Sequence, residues 1–136
     1  MSGLMRGSVT VYNRWYNPAT KQDEFHRTVL SKAHWMDVEG VVLDGKGVAG
    51  SNVAEVLIDG SLTGYVTPNI YYGLYKEEAQ LVWTLSPKDI ICKGVVEMEI
   101  AKATDLIAID NVRTIISASL VDQGIRKRYH FEVIAR

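Results

Sequence analysis

Cys92 is the one cysteine of the chain, and it lies in the stretch LSPKDIICKGVV, residues 85–96, close to two lysines and an aspartate. A cation near a thiol lowers its pKa and can make the thiolate reactive. In an extended segment, however, adjacent side chains point to opposite faces, which directs Lys93 away from Cys92. No histidine is near in sequence to act as a base, as nucleophilic catalysis requires. We therefore expect Cys92 to be a small buried hydrophobic residue.

The histidines and carboxylates give no stronger indication of chemistry. His26 and His34 would lie about 26 Å apart in a straight strand, at about 3.3 Å per residue, and no HxH, HExxH or CxxC spacing occurs. The carboxylates are scattered along the chain. LDGKGVAGS, residues 43–51, contains GxG but lacks the complete phosphate-binding patterns. We expect no metal, no cofactor and no enzymatic activity.

The composition is that of a globular protein. A chain of 136 residues is long enough to bury one core, so we expect a single domain, residues 1–136. Hydrophobic residues at 47% and charged residues at 23% exclude a disordered tail. A net charge of −1 argues against a protein that concentrates nucleic acid on a basic surface. The lone cysteine and the absence of a signal-peptide pattern at the start favour synthesis in a reducing cytoplasm, and the apolar runs are too short to span a membrane.

Period-2 alternation of apolar and polar residues predicts a chain of short strands. The predicted strands are 8–16, 25–38, 53–59, 81–85, 89–100, 111–121 and 125–136. The glycine-rich segment 39–52 predicts a loop, and 101–110 predicts one short helix capped by Thr104. Thr67-Pro68 could begin another helix, but Gly73 and the clustered tyrosines favour an extended excursion. The pattern indicates an all-β fold, a small barrel or sandwich of about six or seven strands with long loops.

Aromatic and basic residues are concentrated in two places. Tyr65, Tyr71, Tyr72 and Tyr75 crowd one irregular segment, which fits either a recognition surface or a loop packed by its own aromatic side chains. GIRKRYHF, residues 124–131, is the only basic cluster and fits the exposed face of a hairpin, a phosphate contact or a subunit contact. The sequence leaves these readings open.

Two stretches resemble the small head-completion proteins of tailed bacteriophages, of the stopper or head-closure type. The first is a phrase of the form L-x-P-x-D-x-I-x-x-G that introduces a strand. It is matched by Leu85, Pro87, Asp89, Ile91 and Gly94. The second is the closing hairpin. It is matched by Ile116, Ala118 (where the family tends to have a branched aliphatic residue), Asp122, Gly124, His130, Glu132 and Val133. The resemblance covers most of the chain and is weakest over residues 60–80.

This resemblance implies a β-barrel that assembles as a homo-oligomeric ring in the head–tail connector of the virion, after synthesis in the bacterial cytoplasm. The ring would lie between portal or adaptor proteins and tail proteins, close the capsid channel, retain the packaged double-stranded DNA without reading its sequence, and dock the tail. A loop between the second and third strands of family members can project into the channel. The corresponding segment here is 40–51, which makes Asp44, Gly45, Lys46 and Gly47 candidate channel-gating residues.

The tyrosine-rich segment and the basic cluster are the candidate contacts with neighbouring subunits or the adaptor. These residues are Tyr65, Tyr71, Tyr72, Tyr75, Arg126 and Arg128. One alternative is a tail terminator or tail-completion ring. Another is a β-barrel that binds single-stranded nucleic acid, with tyrosines as stacking platforms. An enzyme would be favoured only if Cys92 proved accessible and reactive.

Overall fold

The computed structural model describes residues 6–38, 53–122 and 129–136, which form a closed antiparallel β-barrel. Its strands are β1 (Gly7–Asn17), β2 (Gln22–Val38), β3 (Val53–Asp59), β4 (Ile90–Lys93), β5 (Val112–Asp122) and β6 (Tyr129–Ala135). Their order around the barrel is β1-β2-β3-β6-β5-β4, and β4 pairs with β1 to close it. The prediction of a small all-β barrel with six or seven strands is confirmed.

Two long connections leave the sheet of the barrel. The first excursion, residues 60–89, joins β3 to β4 and contains the short helices α1 (Pro68–Tyr72) and α2 (Lys76–Ala79). The second excursion, residues 94–111, joins β4 to β5 and contains a 3₁₀ turn, Ala103–Leu106. None of the helices in the described ranges is both long and apolar enough to cross a membrane.

Four local predictions differ from the structure, all of them in these excursions. The strand predicted over 89–100 ends at Lys93, because residues 94–100 belong to the second excursion. The segment 61–80 is not extended, because Pro68 takes the first turn of α1, where its missing N–H costs no hydrogen bond. The segment 81–85 forms no strand and contributes only an isolated bridge between Trp83 and Tyr65. The 3₁₀ turn is preceded by Lys102 rather than Thr104, and Asp105 accepts the N–H of Lys102 at 3.1 Å.

Strand β1 is buried on both faces over its central residues. Val9 and Val11 face the barrel interior, while Thr10 and Tyr12 face outward and are nevertheless fully buried. The second excursion covers the outward face, where Tyr12 packs with Ile100 and Leu106 among other apolar residues. A strand buried on both sides shows weaker polar alternation than a half-exposed one, yet the period of 2 remains readable in β1.

At a bulge in β2, the positions that face the barrel interior switch from even-numbered to odd-numbered residues. Between the pairs Gly7–Ala33 and Val9–Leu30, β2 contains one residue more than β1. Lys32 has φ of 60° in this stretch, in the left-handed region that an irregularity of this kind requires. Leu30 and Ala33 are consequently both buried, although simple alternation would place them on opposite faces.

The barrel interior is filled by apolar side chains from the strands and from the first excursion. They include Val56, Ile58, Ile91, Ile115, Val133 and, from the excursion, Trp83 and Leu85. Trp83 lies against Phe131 and Tyr65, with ring centroids 5.5 and 5.2 Å away, and its indole N–H donates to the carbonyl of Thr63 at 2.8 Å. The first excursion therefore belongs to the core and is not a loose loop.

The β1–β2 hairpin extends beyond the closed part of the barrel. Only Val9–Tyr12 of β1 pair with β4, and only Ala33–Val38 of β2 pair with β3. The remainder of the hairpin, towards its turn at residues 18–21, is paired strand to strand but has no further strand on either side among the described residues. The end of the first excursion, which precedes β4, lies along the β1 side of this part of the hairpin.

We predict that Gly60→Ala lowers the free energy of unfolding by about 1–3 kcal/mol, the usual cost of overpacking. A Cβ at this position would lie 2.5 Å from the Cβ of Tyr129 and 2.7 Å from its backbone carbon, so β3 and β6 would have to move apart. Gly73→Ala is the matched control, because its nearest atom is 3.6 Å away, and we expect a change within about 0.5 kcal/mol. Urea unfolding of the two variants measures both effects, and equal losses would contradict the close packing at Gly60.

Candidate functional site

Asp89 and Asn13 are the most highly connected buried polar side chains of the described structure, with three hydrogen bonds each. The Oδ1 of Asp89 accepts the backbone N–H of Arg14 at 3.0 Å. Its Oδ2 accepts the side-chain N–H of Asn13 at 2.8 Å and the backbone N–H of Ser86 at 3.2 Å. Asn13 also pairs with the backbone of Thr84, donating to its carbonyl at 2.6 Å and accepting its N–H at 3.1 Å. This network, here called the Asp89 junction, joins β1 to the end of the first excursion.

The residues of the family-like phrase have local backbone roles around this junction. The N–H of Asp89 donates to the carbonyl of Ser86 at 3.0 Å, which closes a turn with Pro87 second and Lys88, at φ of 79°, third. This is the arrangement of a type II turn. Gly94, at φ of 80°, ends β4 and donates its N–H to the carbonyl of Ser8 at 2.8 Å. The expectation that this phrase introduces a strand is confirmed, since Pro87 and Asp89 form the turn that enters β4 and Gly94 follows its last residue.

The environment of Asp89 changes its acidity. Burial raises the pKa of Asp89 to about 6, although hydrogen bonds from Arg14, Asn13 and Ser86 act in the opposite direction. All three donors are neutral N–H groups, and the carboxyl group is almost completely removed from water. The geometry describes a structural anchor that is held inside the fold.

Cys92 is fully buried on the outward face of β4, beneath the second excursion, with Tyr12 and Ile90. Burial raises the pKa of its thiol to about 11, so the thiolate is disfavoured. Ile91 points into the barrel, and Lys93 is exposed. The prediction of a structural cysteine is confirmed.

The buried histidine, His26, also has structural partners. One ring nitrogen lies 3.0 Å from the hydroxyl of Tyr71, and the other lies 3.2 Å from a carboxylate oxygen of Glu24. Its ring stacks on Trp15, with centroids 5.4 Å apart. In the described ranges, no three His, Cys, Asp or Glu side chains lie close enough together to hold a metal ion.

The four tyrosines of the first excursion do not form one surface. Tyr71 is fully buried against Trp15 and Ala79, so its assignment to a subunit interface is corrected. Tyr65 is partly buried against Phe131, with ring centroids 4.6 Å apart. Tyr72 and Tyr75 are exposed, and Tyr75 retains 77% of its accessible surface. The loop packed by its own aromatic side chains is thus the better description of Tyr65 and Tyr71, while contacts by Tyr72 and Tyr75 stay a prediction.

Exposed apolar side chains are concentrated in the two excursions. Of thirteen large exposed hydrophobic residues in the described ranges, seven lie there. They are Ile70, Tyr72, Tyr75 and Leu81 in the first excursion, and Val95, Met98 and Ile107 in the second. Leu81 and Ile107 retain 82% and 87% of their accessible surface, which is unusual for aliphatic side chains of their size. These two sets are the candidate contact surfaces.

Several of these functional residues were not found from the sequence. Asn13 is a polar residue on the apolar side of β1, in line with Val9, Val11 and Trp15, and that break in the alternation could have indicated its role. The exposure of Leu81 and Ile107 has no comparable signal, because an isolated leucine or isoleucine in an irregular segment is more often buried.

Two predicted sites fall outside the described residues. The channel-gating candidates Asp44, Gly45, Lys46 and Gly47 lie between the end of β2 and the start of β3. Arg126 and Arg128 lie between β5 and β6. Both assignments stay predictions.

We predict that Asp89→Asn lowers the free energy of unfolding at pH 7 by about 1–3 kcal/mol, because the amide turns an N–H towards one of the three N–H donors. The pH dependence is the sharper measurement. Since the folded pKa of about 6 exceeds the ordinary 3.8, the contribution of Asp89 to stability is full below about pH 4 and is lost as the pH rises to about 6.

The difference in stability between the wild-type chain and Asp89→Asn should therefore narrow as the pH rises from 4 to 7 in urea titrations. Asp110→Asn is the control, because Asp110 is exposed and should change stability by no more than about 0.5 kcal/mol. If the free energies of unfolding of the wild-type chain and of Asp89→Asn changed in parallel with pH, the raised pKa of Asp89 would be contradicted.

We predict that Cys92 reacts with an aromatic disulfide probe at least about 1000-fold more slowly in the folded chain than in urea, because labelling requires the core to open. The rate of release of the coloured thiolate, with and without urea, gives the comparison. Fast labelling of the native chain would contradict the burial of Cys92 and would support the alternative of an enzyme with a reactive thiol.

Comparison with known proteins gives the family but no activity. Residues 4–136, which span nearly the whole chain, match the family of unknown function DUF6751. No curated protein and no solved structure was found to match. The match includes the Asp89 junction, Cys92 and both excursions. The chain belongs to the DUF6751 family.

Proposed function

We propose that this chain is a structural subunit of the head–tail connector of a tailed bacteriophage, and that it forms a ring below the portal or adaptor. In this position the ring closes the capsid channel, retains the packaged DNA and docks the tail. The proposal starts from the sequence resemblance carried by Leu85, Pro87, Asp89, Ile91 and Gly94. The barrel fold expected from that resemblance supports it.

The single observation that carries an assembly role is the exposure of apolar side chains in the two excursions. Within the closed part of the barrel, backbone groups pair from strand to strand, so we expect the side chains that project from it to contribute to association. Tyr75, Leu81 and Ile107 project with little of their surface covered. Exposed aromatic side chains such as Tyr75 are of a type enriched at protein interfaces.

The first excursion, which carries Tyr75 and Leu81, is held in place by contacts with the barrel and within itself. Trp15 donates its indole N–H to the carbonyl of Leu74 at 3.2 Å, and Tyr72 donates its hydroxyl to Ser86 at 2.9 Å. Trp83 is anchored in the barrel interior. The exposed side chains are therefore presented by an ordered backbone, which lowers the entropy lost on association.

The alternative of a single-stranded nucleic-acid-binding barrel has less support. Base stacking needs exposed aromatic rings along a groove. Two of the four candidate rings, Tyr65 and Tyr71, are partly or fully covered by the chain itself. The tail terminator alternative involves the same type of ring, and location in the particle distinguishes it from a connector.

The experiment is to delete the gene from the phage or prophage that carries it and to complement with variants. We expect the deletion to yield capsids that lose their DNA and tails that remain unattached. Leu81→Ser together with Tyr75→Ser should fail to restore joining, whereas Leu120→Ser, on the exposed side of β5 with 52% of its surface accessible, should restore it. Electron microscopy and plaque counts measure both steps.

Full, DNA-retaining and tailed particles in the absence of the protein would refute the proposal. A particle reconstruction that places the protein at the tail end would support the terminator alternative instead. Salt-dependent binding of the purified protein to single-stranded oligonucleotides would support the nucleic-acid alternative.

A further inference from the structure

One edge of the β1–β2 hairpin is not covered by any strand of the described chain. β2 pairs with β1 from Gln22 to Ala33, but its pairing with β3 covers only Ala33–Val38. Among the described residues, no strand therefore pairs with the other side of β2 from Gln22 to Lys32. An open strand edge presents backbone donors and acceptors that can pair with another chain.

The direction of the backbone groups on β1 identifies which residues of β2 are available. Ser8 accepts from Gly94 and Arg14 donates to Asp89, so the even-numbered residues of β1 turn their backbone groups away from β2. In an antiparallel pair, residues opposite such positions also turn their groups away from the shared ladder.

Three residues of β2 lie opposite those even-numbered positions. Phe25 lies opposite Arg14, Arg27 opposite Tyr12, and Val29 opposite Thr10. Their N–H and C=O groups consequently point to the open side, and no backbone partner for them occurs among the described residues. Three N–H donors and three C=O acceptors are thus available in one line.

A continuous groove runs along this edge. Two adjoining depressions of about 370 and 390 Å³ follow β2 from Glu24 to Ser31 and share Arg27 and Gln80. The opposite wall of the second depression is formed by residues 62–64 and 80–83 of the first excursion. A stretch of eight residues is about 26 Å long at about 3.3 Å per residue, which suits an added strand.

The groove begins where β3 ends at Asp59, while β2 is longer and extends past that point. At the end of β3, the carboxylate of Asp59 accepts the N–H of Ser61 at 2.8 Å, and Gly60 donates its N–H to the carbonyl of Tyr129 on β6 at 2.9 Å. The chain leaves the ladder with β2 at this turn, and no described strand lies beside Thr28–Ser31.

The side chains around the groove indicate an uncharged occupant. Its central part is lined by apolar side chains such as Val29, Leu62 and Leu81 together with uncharged polar ones, namely Thr28, Ser31, Thr63 and Gln80. The charges at one end are already paired within the chain, Lys76 with Glu24 at 3.4 Å and Arg27 with Glu99 at 3.8 Å. A charged segment would lose hydration there without gaining a free partner.

The same geometry disfavours a second copy pairing through its own β2. The first excursion stands opposite the open edge, so a single extended segment fits where a two-stranded hairpin would meet residues 80–83. Every strand of the described chain is already part of the barrel sheet.

We propose that the open edge of β2, from Glu24 to Ser31, is a strand-addition site for an extended, uncharged segment of a partner protein with alternating apolar side chains. This inference does not depend on the proposed connector function.

The first experiment measures backbone amide hydrogen exchange by NMR in the purified full chain. We expect the amides of Phe25, Arg27 and Val29 to exchange quickly, and those of His26 and Thr28, which face β1, to exchange slowly. Slow exchange at all five positions at every protein concentration would mean that the chain covers its own edge and would overturn the proposal. Protection that appears only as the protein concentration rises would identify a second copy as the occupant and would overturn it equally.

The second experiment adds an uncharged synthetic peptide, acetylated and amidated, with the sequence QTVTVTVTQ as the probe. Exchange at Phe25, Arg27 and Val29 should slow about tenfold when the free peptide reaches ten times its Kd. N-methylation of the peptide at the alternate residues facing β2 should abolish this protection, whereas N-methylation of the intervening residues should preserve it. No protection by the unmodified peptide, or equal effects of the two methylation patterns, would overturn the proposal.

A variant of the chain gives an independent measurement. Val29→Pro removes an outward N–H from a partly exposed position and leaves the β1 ladder its donors, so we expect binding about fivefold weaker, as for one lost backbone hydrogen bond. Unchanged affinity in a folded Val29→Pro chain would contradict the assigned direction of this amide.

Discussion

A single buried carboxyl group, that of Asp89, joins the parts of this fold that the chain order separates. It accepts three N–H groups, from β1, from the side chain of Asn13 and from the turn that precedes β4. Because a buried donor without a partner costs more than a hydrogen bond contributes, each of these groups needs the others in place. The pairing of β4 with β1, which closes the barrel, begins directly after this junction.

The position of the junction also explains how the two excursions are arranged. The first excursion ends at Asp89, with Trp83 and Leu85 already inside the barrel, and the second begins as soon as β4 ends at Gly94. With β4 only four residues long, both excursions lie against β1, one at the hairpin end and one over its outward face. This coverage buries Tyr12, Trp15 and Cys92, but it leaves other apolar side chains of the same excursions in solvent.

The sequence patterns succeeded where the local constraint is strong and failed where distant partners decide. Alternation located β1, β2, β3 and the β5–β6 hairpin, because a strand with one face in the core must repeat with period 2. The assignment of Cys92 to the core followed from the same rule. The first excursion was misjudged because α1 and α2 are too short to show a helical period and are held by tertiary contacts of Trp15 and Tyr71.

The sequence by itself determined an all-β fold, a structural cysteine, and the turn-forming roles of Pro87, Asp89 and Gly94, since these depend on alternation and on backbone preferences of neighbouring residues. Only the tertiary structure decided which tyrosines are covered, which aliphatic side chains are exposed, and where β2 has an open edge. Each of these depends on segments far apart in the chain, as when Tyr71 contacts His26 or when the pairing of β3 with β2 ends at Ala33. The local sequence does not show these tertiary contacts, because the burial of a residue depends on its partner as much as on the residue itself.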